Sequence, residues 1–233
     1  MKILAVGMNY AAHNKELDET LLPKEPVIFS KPDSSILRPG KPFFIPDFSD
    51  RFDYEAELVV RIDRLAKDVS ERFAHRYYNS VTVGIDFTAR NLQHQLRSDG
   101  LPWELCKGFD GSAALGTFIP KEELFDISDC TSVEAEWKPS KTGGNHISEN
   151  CWRRMIQDVH FHLDIDGCTV QHGHTSEMLF SVDRIVSYVS RFFTLKTGDL
   201  IFTGTPCGVG EVKEGQTLKG YIGDREVLNL RVK

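Results

Sequence analysis

The sequence predicts a β-rich fold with a small number of helices. Three observations lead there. Short runs alternate apolar and polar residues, the period of a half-buried strand. Tight-turn signals separate them: Asp33-Ser34-Ser35, Pro39-Gly40-Lys41-Pro42 and Asp166-Gly167. Helical periodicity is confined to a few stretches. The chain has 233 residues, 40% of them hydrophobic, enough for one large domain or two small ones around a packed core.

Taken in order, residues 2–6 read as a short buried strand running into a turn at Gly7 and Asn9. A helix follows, on which His13 and Glu16, three apart, share a face. Such a pair is either an ordinary surface contact or a general base with its orienting carboxylate. Residues 27–31 form a strand stopped by Pro32. Residues 54–62 form the most informative strand. Tyr54, Ala56, Leu58, Val60 and Ile62 face an apolar core, while Glu55, Glu57, Val59 and Arg61 face the other way. Two adjacent glutamates on one face belong either to a solvent-exposed strand or to a site for a hard cation such as Mg²⁺. The pattern alone favours the exposed strand.

Residues 66–79 carry charges at helical spacing around Val69, Phe73 and Tyr77, and predict one amphipathic helix. Residues 81–85 predict a strand ending at Asp86. A helix over 87–96, closed by Gly100, places Arg90 and Gln93 on one face. Asp86 is then either the helix N-cap or a third metal carboxylate. Lys107 is a surface lysine or a cation for an anionic substrate. Residues 113–119 predict a strand ended by Pro120. Residues 128–157 lack periodicity and read as an irregular excursion. Residues 159–165 alternate cleanly into the Asp166-Gly167 turn, with His160 and His162 on the polar face. This H-x-H lacks an apparent third ligand and reads as structural. A helix over 178–193 has Phe180, Ile185, Val189 and Phe192 near its apolar side. A strand at 200–202 leads into Thr203-Gly204-Thr205-Pro206-Cys207-Gly208-Val209-Gly210, whose accessible N–H groups can bind an anion. It lacks the G-K-[ST] ending of a P-loop. Two short strands end the chain.

A net charge of −6 argues against non-specific nucleic-acid binding. The 5 cysteines form no C-x-x-C pair, which fits free thiols in a reducing cytosol. No stretch approaches the roughly 18 apolar residues that cross a bilayer, and the apolar N-terminus is too short for a signal region. The expectation is a soluble cytoplasmic protein without membrane or nucleic-acid partners.

Several of these stretches together resemble the fumarylacetoacetate hydrolase family, closest to the small single-domain branch of acylpyruvate hydrolases and oxaloacetate decarboxylases. The matching residues run in family order. They are Gly7-Met8-Asn9-Tyr10 through His13 and Glu16, Phe29-Ser30-Lys31-Pro32 with Ser34-Ser35, and Tyr54-Glu55-Ala56-Glu57-Leu58. Gly84-Ile85-Asp86-Phe87-Thr88-Ala89-Arg90, Leu101-Pro102-Trp103 with Lys107, and Gly198-Asp199 leading into the 203–210 loop complete the set. The resemblance implies an α+β fold, a β-rich roll of mixed sheets formed by a single domain over residues 1–233 and assembled as a homodimer. It implies a lid over about residues 8–25 carrying the catalytic dyad His13 and Glu16. Glu55, Glu57 and Asp86 match the carboxylates that hold Mg²⁺, Mn²⁺ or Ca²⁺. Lys107, Arg90, Gln93 and Thr205 match groups lining the pocket of a small anionic 2-oxo acid. The activity implied first is hydrolysis of a C–C bond in 2,4-dioxo acids, with metal acting as Lewis acid toward an enolate. Oxaloacetate decarboxylation or dienedioate isomerisation on the same site are alternatives, and a non-catalytic metal-binding relative is a further one. Two departures stand out. Asn91 replaces the family's Asp after Thr-Ala-Arg, which leaves Arg90 short of a partner, and residues 128–157 form an insertion.

Overall fold

The computed structural model describes residues 1–16, 22–124 and 153–233. Its strands are β1 (Ile3–Gly7), β2 (Val27–Lys31), β3 (Phe52–Tyr54), β4 (Ala56–Ile62), β5 (Tyr78–Asp86), β6 (Thr88–Ala89) and β7 (Ala113–Leu115). They continue with β8 (Ile119–Pro120), β9 (His160–Ile165), β10 (Cys168–His174), β11 (Leu200–Phe202), β12 (Gly210–Glu211), β13 (Thr217–Ile222) and β14 (Arg225–Arg231). The helices are α1 (Ala11–Glu16), α2 (Arg90–Ser98), α3 (Glu104–Lys107), α4 (Lys121–Leu124) and α5 (Val182–Phe192).

A 7-stranded sheet has the order β2-β1-β11-β4-β5-β7, with β8 also on β5. β1 and β11 are parallel and the other pairs antiparallel, so the sheet is mixed. A 4-stranded sheet runs β10-β9-β13-β14, and a 3-stranded one β12-β3-β6. With few helices outside them, these sheets form the expected α+β roll.

The strand expected over 54–62 divides at Glu55: β3 lies in the 3-stranded sheet and β4 in the 7-stranded one. Glu55 is therefore the corner between two sheets. Leu58, Val60 and Ile62 pack with Ile185 and Val189 of α5, as the alternation requires. The other face is buried too, because Val59 packs against Ile3, Ala5 and Phe202. Covering a valine contributes about 1.5–3 kcal/mol. Only Arg61 of β4 reaches solvent. The two glutamates are thus interior, and the exposed-strand reading fails. Gly84, opposite Glu57, permits this closeness, since a Cβ there would lie 2.7 Å from both Val59 and Phe202.

Three other expectations need correction. Residues 66–79 do not form one helix. Asp68 adopts φ 50°, a left-handed conformation that interrupts helical hydrogen bonding. Ala66 pairs with Leu195, and Val69 N–H donates to Ser190 Oγ. A 3₁₀ turn over Glu71–Arg76 is all that remains before β5 begins at Tyr78. The 113–119 strand splits into β7 and β8, with Pro120 inside an edge strand; Gly116 between them faces Thr82 and the Val227 carbonyl, where a Cβ would lie 2.6 Å from each. The helix expected from residue 178 starts at Val182, capped by Ser181 Oγ, and Phe192 is exposed rather than packed. Leu179 and Phe180 instead bond through their N–H groups to Asn9. The insertion at 128–157 lies almost wholly outside the described residues, as do residues 17–21 of the segment expected to form a lid.

Candidate metal centre

Acidic side chains at alternate positions, Asp53, Glu55 and Glu57, enter the interior where β3 hands over to β4. Asp86 ends β5 beside them, and its N–H donates to Glu55 O. It does not cap α2, whose N-cap is Ala89. Glu55, Glu57 and Asp86 offer carboxylate oxygens within 4.8 Å of one another, all buried. One point then lies within about 2.8 Å of all three, close to the 2.3–2.6 Å that Ca²⁺ uses and a small rotation from the 2.0–2.1 Å of Mg²⁺. An all-oxygen donor set suits a hard divalent cation.

Buried carboxylates need compensation. Lys107 Nζ, from the last residue of α3, donates to Glu55 Oε2 at 2.6 Å, Asp86 Oδ2 at 2.9 Å and Thr88 Oγ1 at 2.7 Å. Lys31 Nζ, at the end of β2, lies 2.6 Å from Asp86 Oδ1. It also donates to Lys107 O and to Ser112 Oγ. Its neighbours are acceptors, as an ammonium requires. Arg90, the first residue of α2, donates to Asp53 Oδ2 at 2.7 Å, Glu55 Oε1 at 2.6 Å and Gln93 Oε1 at 2.5 Å. Asp53 thus supplies the partner that Asn91 does not.

Charge follows from this geometry. Burial would raise the Glu55 carboxyl, but the adjacent Lys107 and Arg90 charges hold it well below the usual range. Glu57 moves the other way: burial, then the Asp86 charge, push it well above, against the opposing Lys107 charge. Burial lowers Lys31, and Asp86 opposes that. Burial would also lower Lys107, yet Asp86 and Glu55 raise it above the ordinary lysine value, so it stays an ammonium.

The N–H groups of the glycine-rich loop after β11 are taken by the protein's own carboxyl groups. Gly204 N–H donates to Glu57 Oε2 at 2.7 Å, and Gly208 N–H to Glu16 at 3.2 Å. Gly204 has φ +100°, and a Cβ there would meet Asn9 Cβ at 2.7 Å. Thr205 Oγ1 donates to Ala56 O, while Gln171 donates to Thr205 Oγ1 and accepts from Ala56 N–H. On α1, His13 Nδ1 lies 3.2 Å from Glu16 Oε2. In the tautomer whose Nδ1–H donates there, Nε2 is the ring's acceptor.

One cavity joins these groups. His13, Glu55, Glu57, Asp86, Arg90, Gln93, Lys107 and Thr205 all line it. Glu16 stands behind His13. Met8, Phe29, Trp103 and Arg97 complete the wall. Sequence reasoning missed Asp53, Lys31 and Gln171. Asp53 had a signal, the acids at alternate positions; Lys31 had only its place in Phe29-Ser30-Lys31-Pro32, and Gln171 had none.

This fold and acidic pocket agree with the sequence comparison: residues 2–233 match the family described as fumarylacetoacetate (FAA) hydrolase C-terminal, and the chain belongs to that enzyme family. Among its relatives is the mitochondrial oxaloacetate tautomerase FAHD1 of Arabidopsis thaliana, 39% identical over 221 residues, 95% of this chain and 86% of the relative. The mitochondrial oxaloacetate decarboxylase of Dictyostelium discoideum is 36% identical over 94% of this chain and 87% of its own length. The crystal structure of fumarylpyruvate hydrolase from Pseudomonas aeruginosa, in complex with Mn²⁺ and pyruvate, superposes with a TM-score of 0.79 at 31% identity, covering 100% of this chain and 89% of the other.

Proposed function

We propose that the chain is a divalent-metal-dependent enzyme that interconverts a 2-oxo acid and its enol form, with oxaloacetate as the first substrate to test. The observation that carries this reading is the three-carboxylate centre lying in one cavity with His13. Glu55, Glu57 and Asp86 would hold Mg²⁺ or Mn²⁺, which when bound supplies Lewis-acid polarisation of the 2-oxo group. With the ion present and Glu57 ionised, the buried charges sum to one positive, complementary to an anionic substrate.

The chain's own residues then divide the work. Lys107 and Arg90 fix the anion by charge. Gln93, whose carbonyl accepts from Arg90, turns its amide N–H toward orientation of the substrate. His13 Nε2 takes the proton from C3 and delivers it to the 2-oxygen, giving the enol, and the reverse transfer restores the 2-oxo acid, with Glu16 holding the ring. Phe29 and Trp103 give the cavity apolar wall. Arg97, one helical turn beyond Gln93, also lines the cavity. The oxaloacetate tautomerase and decarboxylase among the relatives favour a C4 dicarboxylate.

Hydrolytic cleavage of 2,4-dioxo acids is the second reading. The same His13–Glu16 pair could activate water, and the fumarylpyruvate hydrolase is similar over the whole chain. The test is turnover by purified protein with Mg²⁺ or Mn²⁺. Loss of oxaloacetate enol, pyruvate release from oxaloacetate and cleavage of short acylpyruvates are followed separately. Rates equal to metal and buffer alone for all three would sink the enzymatic proposal.

A further inference from the structure

The outer face of the 4-stranded sheet carries a cluster that the chemistry above does not use. In the β9–β10 hairpin His162 stands opposite His172, and His160 opposite His174. All four imidazoles share the outward face, while Phe161, Leu163, Gln171 and Gly173 alternate inward and are buried. Gly173 has no room for a side chain, since a Cβ would lie 2.3 Å from the Phe161 ring. The outward direction of its neighbours is thereby fixed.

The two cross-strand pairs differ. His160 and His174 stack with ring centroids 3.9 Å apart and planes 12° apart. Asp158, just before β9, places Oδ1 2.9 Å from His174 Nε2. One ligand atom each from Asp158, His160 and His174 lies within 4.8 Å of the others. Ser176 Oγ sits 2.6 Å from His174 Nδ1; with Nδ1–H donating to it, Nε2 gives up the proton it shares with Asp158 Oδ1 and is the ligating atom. By contrast, His162 and His172 are 5.5 Å apart, and His162 stacks on Tyr221 at 4.6 Å. The carboxylate of Asp164 is 3.9 Å from His162. That pair is occupied with ring packing.

We infer that Asp158, His160 and His174 form a second, solvent-facing metal site that takes a borderline transition-metal ion, Zn²⁺ first. Two imidazole nitrogens and one carboxylate oxygen suit Zn²⁺, Ni²⁺ or Cu²⁺, and not Mg²⁺. A tetrahedral ion needs about 2.0–2.2 Å to each donor. These ligand atoms start within about 2.8 Å of a common point, and the two stacked rings must turn out of their parallel arrangement for their in-plane lone pairs to converge, a rotation open to partly exposed side chains. Water completes the fourth position. His160 of the H-x-H thus gains partners, Asp158 two residues before it and His174 on the facing strand, while His162 takes no part. The site is independent of the carboxylate centre, because the inward Gln171 between Val170 and His172 bonds to Thr205 and Ala56 on the opposite side of the sheet.

The test uses full-length protein without a polyhistidine tag, loaded with one equivalent of Cu²⁺ in the presence of excess Mg²⁺. Electron paramagnetic resonance reads nitrogen hyperfine splitting. The expected result is a two-nitrogen spectrum in wild type that is lost in His160→Ala and His174→Ala and kept in His172→Ala. Zn²⁺ calorimetry on the same proteins should show at least a tenfold weaker site in the first two variants and an unchanged one in the third. Circular dichroism checks that each surface variant is folded. Absence of a two-nitrogen spectrum in wild type would overturn the assignment. So would its survival in His160→Ala or His174→Ala, its loss in His172→Ala, or Zn²⁺ affinity that is equal in all four proteins.

Discussion

The inner carboxylate cluster and the outer histidine cluster lie on opposite sides of one β-sheet and are built by opposite means. Inside, Asp86 is 0% exposed and Glu57 2%, and each buried acid is met by a lysine, an arginine or a backbone N–H before any ion arrives. Outside, the Asp158 side chain is 77% exposed, and among the described residues the ligands contact one another and Ser176. The inner cluster is costly to disturb because its charges have no solvent to fall back on. The outer one depends on ligand chemistry alone, and losing one ligand disturbs nothing else.

The sharpest contrast is between Asp86→Ala and His174→Ala. Removing Asp86 leaves Lys31 and Lys107 short of a buried counter-charge, and unfolding free energy should fall by about 3–5 kcal/mol, with loss of any metal-dependent turnover. His174→Ala, at a partly exposed position, should stay within about 0.5 kcal/mol. Urea midpoints of the two variants decide; similar shifts would erase the distinction.

His13→Ala separates chemistry from charge balance within the inner region. Loss of a general base typically lowers rate by about 10²–10⁴-fold. Mg²⁺ affinity should stay at the wild-type value, since His13 is not among the acidic ligands. Calorimetry and turnover on one preparation check both halves. Unchanged turnover would remove His13 from the mechanism.

Gln171 is where the two faces share a strand. Gln171→Leu strands Ala56 N–H and loosens Thr205, and each buried group left unsatisfied costs about 1–3 kcal/mol. The stability loss should be measurable by denaturant titration while the Cu²⁺ spectrum of the outer site is unchanged. Loss of that spectrum would show that the faces are coupled.

The smallest effect is a proton. In the ion-free fold Glu57 titrates above its unfolded value, raised by burial and Asp86, with Glu55 adding and Lys107 and the Gly204 N–H opposing. Between the unfolded value and the raised folded one, the folded state therefore holds a proton that the unfolded chain has released. This contribution to stability is full below the unfolded value and fades as pH rises through the folded one. Mg²⁺ binding should expel that proton, up to one per chain, and the release should vanish at high pH. Calorimetry in buffers of different ionisation enthalpy measures it. Zn²⁺ at the outer site should show no such link to Glu57.

The alternation of residues 54–62 and 159–165 made β4 and β9 legible from sequence, along with the acids that one of them carries. Glu55 and Glu57 could not be read as buried, because the groups that meet them, Arg90, Lys107 and the Gly204 N–H, lie far along the chain. The 66–79 stretch shows the opposite failure. Its helical spacing is real, but Asp68 turns left-handed and the backbone bonds go to Ser190 and Leu195 instead. Lys31 and Gln171 escaped for a related reason: compensation of buried charge is a long-range property, and neither residue has a local pattern to announce it.

Lys31 and Lys107 also bear on what metal starvation would do to such a protein. In a zinc finger the ion is part of the folding free energy, and its removal delivers an unfolded chain. Here Lys31, Lys107 and Arg90 pair with the acids, so the charge balance of the interior does not rest on an ion alone. A shortage of metal would then idle the protein without exposing it to the proteases that clear unfolded chains. The resting pool would persist and return to work when the ion returns, with no new synthesis.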